Sequence, residues 1–112
     1  MKIKNHVQLV GRLGANPEVK VLENGTKLAK FNLAVTETYV TKTGDKVSDV
    51  QWHAIVAWGS LATIAERILQ KGTQVTVDGK LFNRSYTSKD GIKRSSTEIV
   101  AHELFVTQQK AA

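Results

Sequence analysis

The 112-residue chain contains no cysteine and only one proline. Without cysteine there is no disulfide framework, no thiolate metal site and no cysteine nucleophile. With Pro17 alone, and glycines scattered along the chain, no linker or domain boundary stands out. No apolar run approaches the roughly 18 residues that a membrane span needs. The opening MKIKNHVQLV lacks the basic start, apolar block and small-residue cleavage site of a signal peptide. These absences lead to the expectation of a cytoplasmic protein. No Walker sequence and no G-x-S-x-G elbow occur. His6, His53 and His102 have no metal-ligand spacing. The expectation is therefore a protein that is not an enzyme, with no catalytic residue, no metal and no cofactor.

What is present fits one domain with its own core. Sixteen Lys and Arg against ten Asp and Glu give a net charge of +6. The excess is spread evenly along the chain, with no basic arm and no acidic tail. A polyanionic partner is admitted, and the fold would have to gather the cations. Residues 1–107 form the expected domain, and 108–112 a short C-terminal end.

Period-2 alternation marks strands at 3–13, 27–39, 50–58, 73–86 and 95–106, with a short one at 18–22. Asn24-Gly25 signals a hairpin, and the polar residues 41–49 and 89–91 are expected as a loop and a turn. Between the third and fourth main strands the period changes. Leu61, Ile64, Ala65, Ile68 and Leu69 make the stripe of an amphipathic helix. Ser60 is its expected N-cap, with Lys71 in its last turn and Gly72 just beyond. The order predicts an all-β, five-stranded Greek-key OB-fold barrel with a single helix plugging its open end. Gly11 and Gly14 suit tight barrel corners.

Seven aromatic residues are the most informative side chains. Phe31 and Phe105 are expected to pack in the core. On residues 73–86, Val75, Val77 and Leu81 make the predicted core face. The opposite parity carries Lys80, Phe82, Arg84 and Tyr86, cations interleaved with rings. That chemistry suits single-stranded nucleic acid, because rings stack on unpaired bases and cations meet phosphates. Trp52 and Trp58 share a parity and serve equally well as core or as stacking platforms. Simple alternation puts Tyr39 on the dry side with Phe31 and Val35. A bulge or strong twist would be needed to bring it to a binding face.

The chain resembles the bacterial single-stranded-DNA-binding proteins. The matching segments are NHVQLVGRLGANPEVK (5–20), NGTKLAKFNLAVTETY (24–39), VQWHAIVAWGSLATIAERILQKGTQVTVDGKL (50–81) and NRSYTSKDG (83–91), in order and with matching spacing. The resemblance implies an OB-fold subunit, usually of a homotetramer with a homodimer as the alternative. It implies wrapping of single-stranded DNA in replication, recombination and repair, at a cytoplasmic, nucleoid-associated location. The family's stacking positions fall on Tyr39, Trp52, Trp58 and Tyr86, and its basic groove positions on Lys71 and Arg84. Ala54 and Ser60 stand where a cation is common, and Arg12 and Lys80 are expected to compensate. The resemblance also places Asn5, His6, Val7 and His53 at or near subunit contacts. Family members continue into an acidic tip that recruits other proteins, whereas this sequence ends Gln-Gln-Lys-Ala-Ala. Tail-mediated recruitment is therefore not expected. A primosome-type accessory acting mainly through protein contacts, and RNA in place of DNA, remain as alternatives.

Overall fold

The computed structural model describes residues 5–108, apart from the side chains of Arg84 and Gln108. The expected start of the first strand at Ile3 and most of the expected C-terminal end, 109–112, lie outside the described residues. Six strands and a helix follow in order: β1 (Val7–Leu13), β2 (Glu18–Val21), β3 (Lys27–Val40), β4 (Lys46–Trp58), α1 (Ser60–Ile68), β5 (Gln74–Thr87) and β6 (Lys93–Gln108). β1 pairs with β5, β5 with β6, β6 with β4, β4 with β3, and β3 returns to β1. Five strands thus close a ring, and β2 extends it as an edge on β3. All neighbours are antiparallel except β4 and β6. This is the expected OB-fold order, with the helix between the third and fourth main strands.

Alternation drives the ring. Leu13, Phe31, Leu33, Ile55, Ala57, Val75, Val77, Ile99 and Ala101 turn inward into one cluster. Full burial of a residue such as Leu33 or Ile55 stabilises by about 1.5–3 kcal/mol. Where strands cross at close range the residue is glycine. A Cβ on Gly79 would press on the Val100 carbonyl oxygen and sit 2.9 Å from its carbon.

The helix closes one end through small residues, with Ala62 and Ala65 fully buried. Leu61 and Ile68 flank them, while Ile64, expected in the buried stripe, is exposed. Ser60 is not the N-cap. Gly59 takes that position at φ 64°, because the chain must turn sharply out of β4, and no side chain caps the helix. The helix ends at Ile68, so Lys71 lies in the turn beyond it rather than in its last turn. Leu69, already extended, packs into the core. The Lys27 ammonium, 2.9 Å from Glu66, ties the helix to β3.

Two ribbons run on past the ring. β3 and β4 stay paired out to Val40 and Lys46, and β5 and β6 out to Thr87 and Lys93. Residues 41–49 are therefore not all loop, since β4 begins at Lys46. Leu81, predicted as core, is 49% exposed, because β5 has left the packed interior beyond Gly79. Phe105, also predicted as core, is 51% exposed; it pairs with Thr76 on the outer side of β5. The arms account for a radius of gyration of 16.2 Å, against about 13 Å for a chain of some 100 residues without projections.

Candidate nucleic-acid interface

Strand β4 carries both tryptophans on its outer face. Ile55 and Ala57 point inward, so Trp52, Ala54, Val56 and Trp58 share the other parity. Trp52 is 59% exposed and Trp58 39% exposed. Both indoles therefore stand on the surface rather than in the core. Six residues of strand separate them by about 20 Å.

Between the two rings lies a groove of about 290 Å³, lined on β4 by Ala54 and Val56, on β3 by Lys30 and Asn32, and on β6 by Glu98. Cross-strand register explains the arrangement. Lys30 pairs with Val56, Val56 with Val100 and Val100 with Lys80, which sets two lysines at the ends of one row across four strands. At strand spacing that row is about 14 Å long. Phe82 pairs with Glu98 and shares its face. Glu98 is buried, and its carboxylate lies 3.9 Å from the Lys30 ammonium.

Trp52 is held from behind. A Cβ on Gly14 would sit 2.7 Å and 2.8 Å from Cζ3 and Cη2 of the indole, so the ring rests on the glycine backbone. On its other side a second groove is lined by Val10, Arg12, Ala34, Val50 and Gln74 as well as Trp52. The Arg12 guanidinium donates to the Gly72 carbonyl at 2.9 Å. The Lys71 amide donates to the Asn16 side chain at 2.7 Å, and the Leu13 amide to the Thr73 carbonyl at 3.1 Å. These bonds fasten the turn after the helix to β1 and the loop that follows it. They bring Arg12, Lys71 and Trp52 into one neighbourhood.

The two remaining stacking candidates lie on the ribbons. Tyr86 pairs with Arg94 far out on the β5–β6 arm and is 49% exposed. Tyr39 is 53% exposed on the β3–β4 arm. No bulge was needed to expose it, because the register from Leu28 to Val40 is unbroken. The ribbon has simply left the core, and Tyr39 stands on the pleat face opposite Trp52. Phe82 is 44% exposed at the base of the other arm and Lys80 is exposed beside it. The Arg84 side chain lies outside the described ones.

Of the candidate interface residues, Asn5, His6 and Val7 lie just before or at the start of β1, and His53 is on β4. Asn5 accepts from the Leu81 amide at 2.9 Å and donates to its carbonyl at 3.0 Å, extending the β1–β5 ladder by a side chain. His6 Nε2 lies 2.7 Å from an Asp78 carboxylate oxygen. Val7 pairs with Gly79, and half-buried His53 with Leu33. Sequence reasoning missed Lys30, Asn32 and Glu98. Cross-strand register gathers them, and only the parity of Lys30 and Asn32 against Phe31 hinted at an outward face. Among the described residues no cluster of His, Asp and Glu is arranged to hold a metal, and no helix is long and apolar enough to cross a membrane.

Residues 4–106 match the model of the single-strand binding protein family. The chain is 40% identical over 107 residues to "Single-stranded DNA-binding protein 1" of Xylella fastidiosa, covering 95% of this chain and 79% of that protein. It is 41% identical over 100 residues to the single-stranded DNA-binding protein of Neisseria meningitidis serogroup A, covering 89% of this chain and 58% of that one. Among solved structures, one chain described as "Plasmodium falciparum SSB complex with ssDNA" superposes with a TM-score of 0.85. It is 31% identical, over 96% of this chain and 98% of that one.

Proposed function

The chain belongs to the single-strand binding protein family, and from that premise we propose that it coats single-stranded DNA with little sequence preference during replication, recombination and repair. The observation that carries this reading is the pair of exposed indoles on one outer strand face with a lysine-bearing groove between them. Trp52, Trp58, Phe82 and Tyr86 stack bases, and Tyr39 takes up strand that passes round the β3–β4 arm. Arg12, Lys71, Lys80 and Arg84 meet phosphates. The protein acts by binding alone, without turnover or cofactor, in the cytoplasm.

The same reading includes self-association. The Val7–Val10 stretch of β1 pairs with β5 on one side, and the β1–β3 ladder begins beyond it, at Arg12 and Leu13. Its other edge is a template for a second copy, with Asn5, His6, Val7 and His53 near the contact. A homotetramer would join several grooves into one wrapping path.

Tryptophan fluorescence titrated with poly(dT) tests the function. Quenching that weakens with rising salt is expected. Trp52→Ala or Trp58→Ala should each remove part of a stacking contribution of about 1–3 kcal/mol per base. Phe31→Leu, in the core, should leave affinity unchanged at matched stability. An unquenched signal at low salt would refute the reading.

A further inference from the structure

The β4 floor of the groove between the indoles offers no cation to a phosphate. Ala54 and Val56 offer no side-chain donors, Asn16 and Asn32 offer only neutral ones, and Glu18 and Glu98 bring negative charge to the place where a polyanion would pass. Lys30 is the lysine that lines this groove. It enters from β3, directly across from Val56. Its side chain is 51% exposed, and its ammonium is 3.9 Å from Glu98. That separation exceeds hydrogen-bond length. The carboxylate therefore attracts the ammonium over the groove without consuming its three N–H donors.

The spacing of the rings gives this cation a task. Even at twice the duplex rise of about 3.4 Å per nucleotide, a strand stacked on two rings about 20 Å apart leaves at least one nucleotide between them. That nucleotide has no ring of its own on β4. We propose that Lys30 binds the phosphate of the nucleotide spanning Trp52 and Trp58, with Glu98 as the positioning residue that holds its ammonium over the groove. This rests on the groove reading above. A bland alternative exists: Lys30 does no more than neutralise Glu98.

A double-mutant cycle separates the two. Equilibrium binding of poly(dT) is measured across a salt series for the unmodified protein, Lys30→Gln, Glu98→Gln and the double variant. One phosphate contact to a single strand contributes about 0.7 to the slope of log K against log salt, which is about fivefold in affinity at 0.1 M. Lys30→Gln should lose both, Lys30→Arg should keep both, and the loss should persist when Glu98 is already Gln. If Lys30→Gln costs nothing in the Glu98→Gln background, the lysine only neutralised the carboxylate and the proposal is overturned. Should Glu98→Gln not fold, acylation footprinting of the unmodified protein decides. Protection of Lys30 by saturating poly(dT) upholds the contact, and undiminished labelling overturns it. No binding by the unmodified protein sinks the groove reading and this assignment together. Binding with an unchanged Lys30→Gln sinks this assignment alone.

Discussion

Gly14→Ala should damage the binding surface while sparing the fold. Gly14 is outside the positive-φ glycines, so alanine introduces no backbone strain there. The new methyl would lie 2.7 Å and 2.8 Å from two indole carbons of Trp52. Carbon atoms rest at about 3.5–4.0 Å, so the ring must withdraw by about 1 Å. It has room to do so, being 59% exposed. The cost to stability should stay under about 1 kcal/mol, or less than roughly 8 °C in Tm for a domain this size. The cost to binding is bounded by the whole stacking contribution of one ring, about 1–3 kcal/mol, which is about 5- to 150-fold. Affinity should therefore fall between the unmodified protein and Trp52→Ala. Fluorescence titration with poly(dT) and a thermal melt read the two quantities. Unmodified affinity in Gly14→Ala, alongside a weakened Trp52→Ala, would refute the claim that this glycine sets the ring.

Two further outcomes follow from other parts of the molecule. Gly79→Ala meets backbone, not a movable ring, at the Val100 carbonyl. It should cost more than the usual overpacking penalty of about 1–3 kcal/mol and show a large fall in midpoint on denaturant unfolding. In the β5–β6 turn, the Asp90 carboxyl accepts from the Ser88 hydroxyl and from the Ile92 amide, which hold its pKa below the ordinary 3.8. The folded value is depressed, so the turn's stabilisation is present above pH 3.8 and is lost as pH falls through the lowered value. An NMR titration of Asp90 with its midpoint at or above 3.8 would contradict this.

Much of the fold was legible because each ring strand has one dry face, and alternation reports a dry face directly. The helix announced itself by the change of period after Trp58. Legibility failed where the chain leaves the core. Residues 46–49 pair with Glu37–Val40 along the backbone ladder, with Thr38 and Ser48 hydroxyls also in reach across it, and a ribbon wet on both faces leaves no hydrophobic pattern to find. The same departure exposed Leu81 and Tyr39 against their parity. Ser60 looked like a cap by residue type, but the turn out of β4 demanded the positive φ of Gly59. For the site, the interleaved rings and cations of β5 were visible in one strand. Lys30 and Glu98 were not, because they join the tryptophan-bearing face only through pairing between strands distant in sequence.

The uneven joints of the ring bear on how the molecule assembles. The β3–β4 and β5–β6 ribbons are long and antiparallel, each closed by its own short turn at Gly44 or Gly91. Each can zip from its turn in microseconds, as isolated hairpins do. The joints between them are short: two cross-strand pairs link β4 to β6, and two link β1 to β3. Those contacts close large loops, and their entropy must be met before they stabilise anything. The slow step of folding should therefore be the clamping of two preformed ribbons at their bases, with Leu33, Ile55, Val75 and Ile99 buried together. Substitutions in this clasp should slow folding, whereas those in the arms should mainly change how fast the finished protein comes apart.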